Sequence, residues 1–180
     1  VLHGQLPGLL GARHSSFVVD QSLKDPDVRI EAIRTNDELT SIRLKGRRDL
    51  LTQFDLQRGL IDEVAGAQNL DGFYQRAFNL LSSSRTRDAF ALGSEKQELR
   101  DRYGQTEFGQ RCLLARRLAE AGVPLVNISY CHTPKGSFDT HSNNFSKMKN
   151  SLGPTLDQSL GALIEDLDER GMLEDTLVVV

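Results

Sequence analysis

The sequence predicts an α/β fold with a mainly parallel sheet, and three consecutive segments near its end predict it. In the segment Pro124–Tyr130, Val126 and Ile128 alternate with polar residues, as in a half-buried strand. An amphipathic helix follows, and the apolar run Thr176–Val180 after it is typical of a buried strand. Strand, helix and strand in this order form a βαβ unit, in which a right-handed crossover joins two parallel strands.

The helix of this unit has the most regular apolar stripe in the chain. Its spacing of three and four residues predicts that one face is buried and that the acidic residues between face solvent. The apolar set is Leu152, Leu156, Leu160, Leu163, Ile164 and Leu167, and the acidic set is Asp157, Glu165, Asp166, Asp168 and Glu169. The helix is predicted to start near Ser151, and Gly171 is positioned to end it.

The residues before the βαβ unit are predicted to be largely helical, so they supply the cover that both faces of a parallel sheet require. Val1 to about Thr35 is predicted to be irregular, and the run "SSSR" at 82–85 is predicted to interrupt the helical pattern. The predicted helices begin at Arg47 and then cover Gln68–Leu81, Glu95–Tyr103 and Thr106–Ala121, the last with Thr106 as N-cap and Gly122 as the C′ residue.

Length and composition predict one domain that spans residues 1–180. Hydrophobic residues make up 38% of the 180 residues and the net charge is -3, which is ordinary for a soluble globular protein and disfavours nucleic-acid binding. No apolar run approaches the roughly 20 residues that span a bilayer, so we expect no membrane span. Because the last residues are those of a predicted strand, we expect the chain to be a central fragment of a larger domain.

Neither cysteine has the spacing of a thiolate metal site. Cys112 lies in an apolar helical pattern and is predicted to be a buried small hydrophobic residue. Cys131 lies at the end of a predicted strand, and a disulfide between the two cysteines is left open.

The stretch "GSFDTHSNNF", residues 136–145, is the candidate site. It belongs to a connection of about twenty residues, where roughly 2 to 6 suffice to join a strand to a helix, and it lies where the strands of a parallel sheet end and ligands collect. Asp139 and His141 are separated by one residue, so an extended backbone points both side chains the same way. Their donors suit a divalent metal such as zinc, manganese, calcium or magnesium, with iron also compatible, and further ligands must come from elsewhere.

Other interpretations of the same residues stay open. Asp139 is also typical of an Asx turn, and His141 of a loop histidine bonded to a carbonyl. Asn144 and His132 are the candidate substrate-binding residues. Local backbone bonding by Asn144 and packing of His132 at the strand end are the alternatives, and adjacency makes a Cys131–His132 nucleophilic pair improbable.

Several stretches, above all "FDTHSNNF" and "LGPTLDQSLGALIEDLDERGMLEDTLVVV", resemble an uncharacterised sulfatase-like family, a domain of unknown function within the alkaline phosphatase superfamily. The upstream runs "LPGLLG" and "RDRYGQTEFGQRCLLARRLAEAGVPLV" resemble it as well. The resemblance implies an alkaline-phosphatase-like sandwich with a mainly parallel sheet, a helix-rich middle segment and a metal centre at the strand ends. Asp139 and His141 match the first ligand pair of the superfamily, in which the spacing between the two is commonly wider.

The same resemblance implies that the nucleophile and the remaining ligands lie outside residues 1–180, and that the parent protein is periplasmic or extracellular. We therefore expect part of a metal-dependent hydrolase that acts on sulfate or phosphate esters of a small molecule or carbohydrate, with the fragment alone inactive. One alternative is a catalytically inactive scaffold that binds carbohydrate or protein. Another is that the helical segment Arg47 to Ala121 mediates assembly, and the oligomeric state is left open.

Overall fold

A computed structural model describes the chain at residues 9, 16–25, 46, 49, 84–129, 138 and 140–180. The chain divides into two compact units, one comprising Val1–Asp20 and Ile30–Arg87 and the other Gln21–Arg29 and Asp88–Val180. In the first unit, Gly46 and Asp49 are helical. Nearly all of the described residues belong to the second unit.

The regular structure of the described residues is helical. In chain order the elements are α1 (Ser84–Ala89), a 3-10 turn (Leu92–Ser94), α2 (Gln97–Tyr103), α3 (Glu107–Glu120), α4 (Asn144–Lys147), a π-helical turn (Met148–Leu152), α5 (Gly153–Glu169) and a second 3-10 turn (Leu173–Asp175). Within the second unit, α5 packs against both α3 and α2, and α2 packs against α3.

Both ends of α3 lie where the sequence predicts them. The side chain of Thr106 accepts a hydrogen bond from the backbone N–H of Gly109 at 3.0 Å, which satisfies one of the first N–H groups of the helix. At the other end Gly122 has φ of 93°, and Val123 donates to the carbonyl of Leu118 at 2.9 Å. This pairing is a Schellman motif, in which a left-handed residue closes the helix.

α5 ends in the same way, but its beginning differs from the prediction. Gly171 has φ of 65° and Met172 donates to the carbonyl of Leu167 at 2.8 Å, which confirms the predicted end. At the other end, helical backbone does not begin near Ser151 but extends back through the π-helical turn to Asn144. Pro154 lies in the first turn of α5, directly after the π-helical turn, and because proline has no N–H it donates no backbone hydrogen bond to that turn.

The core of the second unit forms where the three helices meet. Leu113 of α3 is fully buried, and Leu163 and Leu167 of α5 are 8% and 2% exposed. Leu152, at the end of the π-helical turn, is also fully buried. Cys112 is also buried, as predicted, and Leu23 adds a buried side chain from the short segment 21–25.

The predicted burial of two residues of α5 needs correction. Asp166, predicted to face solvent, is 2% exposed, whereas Ile164, predicted to be buried, is 39% exposed. Asp166 turns inward because Tyr103 and Arg116 of the neighbouring helices supply it with a hydrogen bond and a positive charge. The buried face of α5 is therefore partly polar.

Other predictions are corrected or lie outside the described residues. Of the run "SSSR" only Ser84 and Arg85 are described, and they begin α1, so the predicted interruption stays a prediction. α2 begins at Gln97 rather than Glu95, because the Glu95 N–H closes the preceding 3-10 turn through a 3.1 Å bond to the Leu92 carbonyl. The helix Gln68–Leu81 and, apart from Asp49, the helix from Arg47 are not among the described residues. Residues 123–129 and 176–180 are non-helical and carry no strand assignment, so the parallel sheet stays a prediction.

Candidate functional site

The predicted site lies in the connection that leads into α4. Of its four predicted residues, the structure describes His141 and Asn144, while Asp139 and His132 lie outside the described residues. His141 and Asn144 are both exposed, and three positions separate them along the chain. The structure therefore shows the part of the predicted site from Thr140 to Lys147.

A tight turn is centred on His141. The backbone N–H of Ser142 donates to the carbonyl of Thr140, two residues earlier, and His141 has φ of 44°. Positive φ is uncommon for residues other than glycine and costs on the order of 1 to 3 kcal/mol, which the surrounding structure must compensate. Asn143 also has positive φ, 53°, but asparagine tolerates that region better. The polypeptide therefore reverses sharply at the predicted imidazole ligand.

Two side chains of α4 hold this turn in place. Lys147 Nζ donates to the carbonyl of Thr140 at 3.1 Å, and the Thr140 hydroxyl donates to Asn144 Oδ1 at 3.1 Å. Asn144 and Lys147 are three residues apart, so they lie on the same face of the helical segment. Thr140, the residue between the two predicted metal ligands, is thus bound through both its main chain and its side chain.

The π-helical turn joins this support to α5. At Gly153 a Cβ atom would lie 2.6 Å from the carbonyl oxygen of Met148, so only glycine allows the wider turn to close at this distance. π-Helical turns insert an extra residue into a helix and occur frequently near functional sites. Buried Leu152 fixes the turn to the core, and the turn connects the core to the loop that carries His141.

The chemistry of the described loop fits one side of a metal site. An exposed imidazole whose backbone is fixed by neighbouring hydrogen bonds is a suitable ligand for a divalent cation. Within the described ranges, no group of three or more His, Cys, Asp or Glu side chains is arranged to hold a metal ion. Asp139 and the further ligands that such a site requires are not among the described residues, so the metal site stays a prediction.

A second group of polar residues, missed by the sequence analysis, lies largely buried where the first 3-10 turn, α2, α3 and α5 meet. We call Glu95, Tyr103, Arg116 and Asp166 the buried ion cluster. Arg116 Nη2 lies 2.6 Å from Glu95 Oε1, and its Nε lies 2.8 Å from Asp166 Oδ2. The Tyr103 hydroxyl donates to the same Asp166 oxygen at 2.9 Å. The Nε–H of Arg116 is not aligned on a hydrogen-bond acceptor, so its contact with Asp166 is an ion pair.

Further pairs surround the cluster. Glu95 accepts a second bond from Arg117, Asp166 accepts one from Arg170 at 2.7 Å, and Arg116 donates to Glu120 at 2.7 Å. Each carboxylate of the buried ion cluster therefore has at least two cationic neighbours. This is the arrangement in which the desolvation of buried charges is best offset.

Burial and pairing determine the protonation of the cluster. Burial, and then the charge of Asp166, raise the pKa of Tyr103 well above its usual value. Burial alone would raise the pKa of Asp166, but the hydrogen bond from Arg170 and the charge of Arg116 outweigh it, and the pKa is lowered. With Tyr103, Arg116 and Asp166 all nearly inaccessible, no substrate reaches these atoms. We therefore interpret the cluster as structural rather than catalytic.

Residue spacing contained a signal for this cluster. Ser159 and Asp166 lie at the three- and four-residue intervals that also place Leu152, Leu156 and Leu163 on one face of α5. Arg116 follows Cys112 by four residues on α3 in the same way. Charged side chains are expected to face solvent, but the positions of Asp166 and Arg116 on their helices predict burial. Both residues are buried.

We expect the free energy of unfolding to fall as the pH drops below about 4.5. The pKa of Asp166 lies below its usual 3.8 and that of Glu95 below its usual 4.5, the latter because Arg116 and Arg117 outweigh the effect of burial. Carboxylates with lowered pKa stabilise the folded state above the unfolded pKa, and this stabilisation is lost as the pH falls through the folded value.

Urea unfolding at a series of pH values between 7 and 3 measures this dependence. Asp166→Asn should flatten it, because the variant removes a buried carboxyl group whose pKa is lowered. Asp168→Asn changes an exposed residue of the same helix and should keep the wild-type slope. Equal slopes for the wild type and Asp166→Asn would contradict the assignment.

Cys112 is not a reactive thiol. It is 2% exposed, and burial raises its pKa to about 12, so the thiolate is not populated at neutral pH. Within the part of the chain that the structure describes, no helix has both the length and the apolar character needed to cross a membrane.

Comparison with known proteins assigns the chain to a family without assigning an activity. No curated protein and no solved structure matches the chain. The model of one family, described as "Protein of unknown function (DUF1501)", matches residues 3–180. That match covers almost the whole chain, and the protein therefore belongs to the DUF1501 family.

Proposed function

We propose that this chain is part of a metal-dependent hydrolase that acts on sulfate or phosphate esters, with Asp139 and His141 as two of the metal ligands. The observation that carries the proposal is the geometry at Thr140. Lys147 binds its main-chain carbonyl and Asn144 its hydroxyl, directly before the exposed imidazole of His141. The resemblance of "FDTHSNNF" to sulfatase-like sequences adds the expected chemistry. The expected fold remains an α/β sandwich with its site at the strand ends.

A divalent cation bound there would polarise the ester oxygen and stabilise the negative charge that builds up on the transferred group. His141 would hold the cation through its imidazole and Asp139 through its carboxylate. The Oδ1 atom of Asn144 already accepts a bond from the Thr140 hydroxyl. Its Nδ2–H₂ group is therefore the donor that we propose for an ester oxygen. His132 is proposed as a second substrate contact, and no side chain of this chain is proposed as the nucleophile.

Metal analysis of the full-length protein tests the ligands. We expect Asp139→Ala and His141→Ala to lose bound metal, because each variant removes a side chain proposed to bind the cation directly, and water replaces it only weakly. Metal content is measured by mass spectrometry of purified protein after dialysis. His14→Ala is the control, since it removes a histidine of the N-terminal segment that has no ligand spacing. Wild-type metal content in both ligand variants would end the proposal.

Turnover separates the hydrolase from the alternative. Hydrolysis of aryl sulfates or aryl phosphates by the full-length protein, lost on chelation and restored by metal, is the expected result. Binding of a glycan or protein with no turnover would instead favour the inactive scaffold. The substrate is proposed to be a small-molecule or carbohydrate ester, and the cation zinc, manganese, calcium or magnesium. The parent protein is proposed to be periplasmic or extracellular.

A further inference from the structure

We propose that Lys147 and Asn144 are positioning residues that hold the peptide between the two metal ligands, an inference that rests on the proposed function. Thr140 is the middle residue of the Asp139–Thr140–His141 sequence. Its carbonyl accepts from Lys147 Nζ and its hydroxyl donates to Asn144 Oδ1, each at 3.1 Å. A residue that is bound through its main chain and its side chain has little freedom to rotate, so Thr140 is suited to fix the spacing of the two proposed ligands on either side of it.

The backbone at His141 is what requires this support. Its φ of 44° is unfavourable for a histidine, and a loop without anchors would relax from it. The carbonyl of Thr140 closes the turn by accepting from Ser142, and Lys147 Nζ binds that same oxygen. Lys147 is half-buried and belongs to the helical stretch that continues through buried Leu152, so the anchor is itself fixed to the core. Residues that orient metal ligands in this way tune the affinity of a site without contacting the cation.

Lys147 also carries a positive charge near the proposed cation, and this gives the inference a sharp test. If the ammonium group acted only through its charge, its removal would strengthen binding of the cation, since like charges repel. If it acts by positioning the loop, its removal weakens binding. The two roles therefore predict opposite signs for the same variant.

The experiment is a calorimetric titration of Mn²⁺, and separately of Zn²⁺, into the metal-stripped full-length protein. We expect Lys147→Met to raise the dissociation constant about 10-fold to 100-fold, as for other residues that orient metal ligands. Lys149→Met removes the same charge from an exposed position of the same helical stretch and is expected not to weaken binding. Thr140→Val, which deletes the hydroxyl at nearly constant volume, is also expected to weaken binding, whereas Thr140→Ser keeps the hydroxyl and the affinity.

Thermal unfolding of the metal-free variants shows whether they are folded, and unchanged midpoints are expected. Wild-type affinity in both Lys147→Met and Thr140→Val would overturn the inference and leave the proposed function intact. Tighter binding by Lys147→Met, or equal weakening by Lys147→Met and Lys149→Met, would overturn it as well. A wild-type protein that binds neither of these ions, and neither Ca²⁺ nor Mg²⁺ in the same titration, would overturn the proposed function and the inference together.

Discussion

Replacing Arg116 with methionine is expected to lower the free energy of unfolding by about 3 to 5 kcal/mol, the cost of removing one partner of a buried ion pair. Arg116 is 1% exposed and faces Glu95, Glu120 and Asp166. Glu95 keeps Arg117 after the change, and Glu120 keeps Arg170 at 3.4 Å. Asp166, 2% exposed, keeps Arg170 at 2.7 Å but loses the buried positive charge of Arg116 at 2.8 Å. Urea unfolding followed by circular dichroism measures the loss.

Arg102→Met is the matched control. Arg102 joins α2 to α5 through two bonds to Glu169 at 2.7 and 3.0 Å. It lies 3.8 Å from Asp166, farther than Arg116 at 2.8 Å, and its side chain is 33% exposed and that of Glu169 58% exposed. Exposed pairs contribute about 0 to 1 kcal/mol, because water screens them and side-chain entropy opposes them. Losses of equal size for Arg102→Met and Arg116→Met would show that burial does not determine the effect.

Removing the buried charges together should cost much less than removing one of them. In the triple variant Tyr103→Phe, Arg116→Met and Asp166→Leu, no buried ionic group is left without its partner. The surrounding pairs survive, since Arg117 still faces Glu95, Arg170 still faces Glu120, and Arg102 still faces Glu169. Apolar replacement of complete buried ion pairs is often neutral or stabilising. A triple variant less stable than Arg116→Met would mean that the buried ions provide a net gain.

Gly109→Ala is expected to destabilise the fold by about 3 kcal/mol, near the upper end of the usual cost of overpacking. A Cβ atom at this position would overlap the carbonyl oxygen of Tyr103 and lie 2.5 Å from that of Gly104. Both are backbone atoms, so they cannot rotate away as the end of a flexible side chain would. The start of α3 therefore has to move away from the end of α2.

Gly161→Ala is the control for this prediction and should change stability in the opposite direction. Gly161 lies inside α5, and nothing lies within 4 Å of the site of its Cβ. Alanine in a helix interior is favoured over glycine by about 0.5 to 1 kcal/mol, because glycine loses more backbone freedom on folding. Thermal and urea unfolding of the two variants should show opposite shifts. A stabilised Gly109→Ala variant would refute the close approach of α2 and α3.

The parts of the fold that the sequence predicts well are those governed by neighbouring residues. Thr106 caps α3 and Gly122 and Gly171 end their helices, because capping depends on side-chain chemistry within a few positions. The apolar stripe of α5 located most of its buried face for the same reason. Asp166 was misplaced because its partner Arg116 lies fifty residues away, and no local pattern reveals such a pairing.

In the candidate site, too, some features could be predicted from the sequence and others could not. The spacing of Asp139 and His141 is visible in the sequence, and so is the unusual length of the loop. The turn at His141 is not, because positive φ is expected first at glycine, and a histidine adopts it too rarely for its position to be predicted. The bond from Lys147 to Thr140 could not be predicted either, because every residue has a backbone carbonyl and the sequence does not show which one accepts the bond.

The π-helical turn Met148–Leu152 sets the direction in which Asn144 and Lys147 point. Successive residues of an α-helix advance by about 100° around the axis, so one inserted residue rotates everything on its N-terminal side by that angle. Without the insertion, the side chains of Asn144 and Lys147, which bind Thr140, would point in a different direction around the helix axis. The extra residue of the π-helical turn therefore determines how the loop that contains Thr140 and His141 is oriented relative to α5.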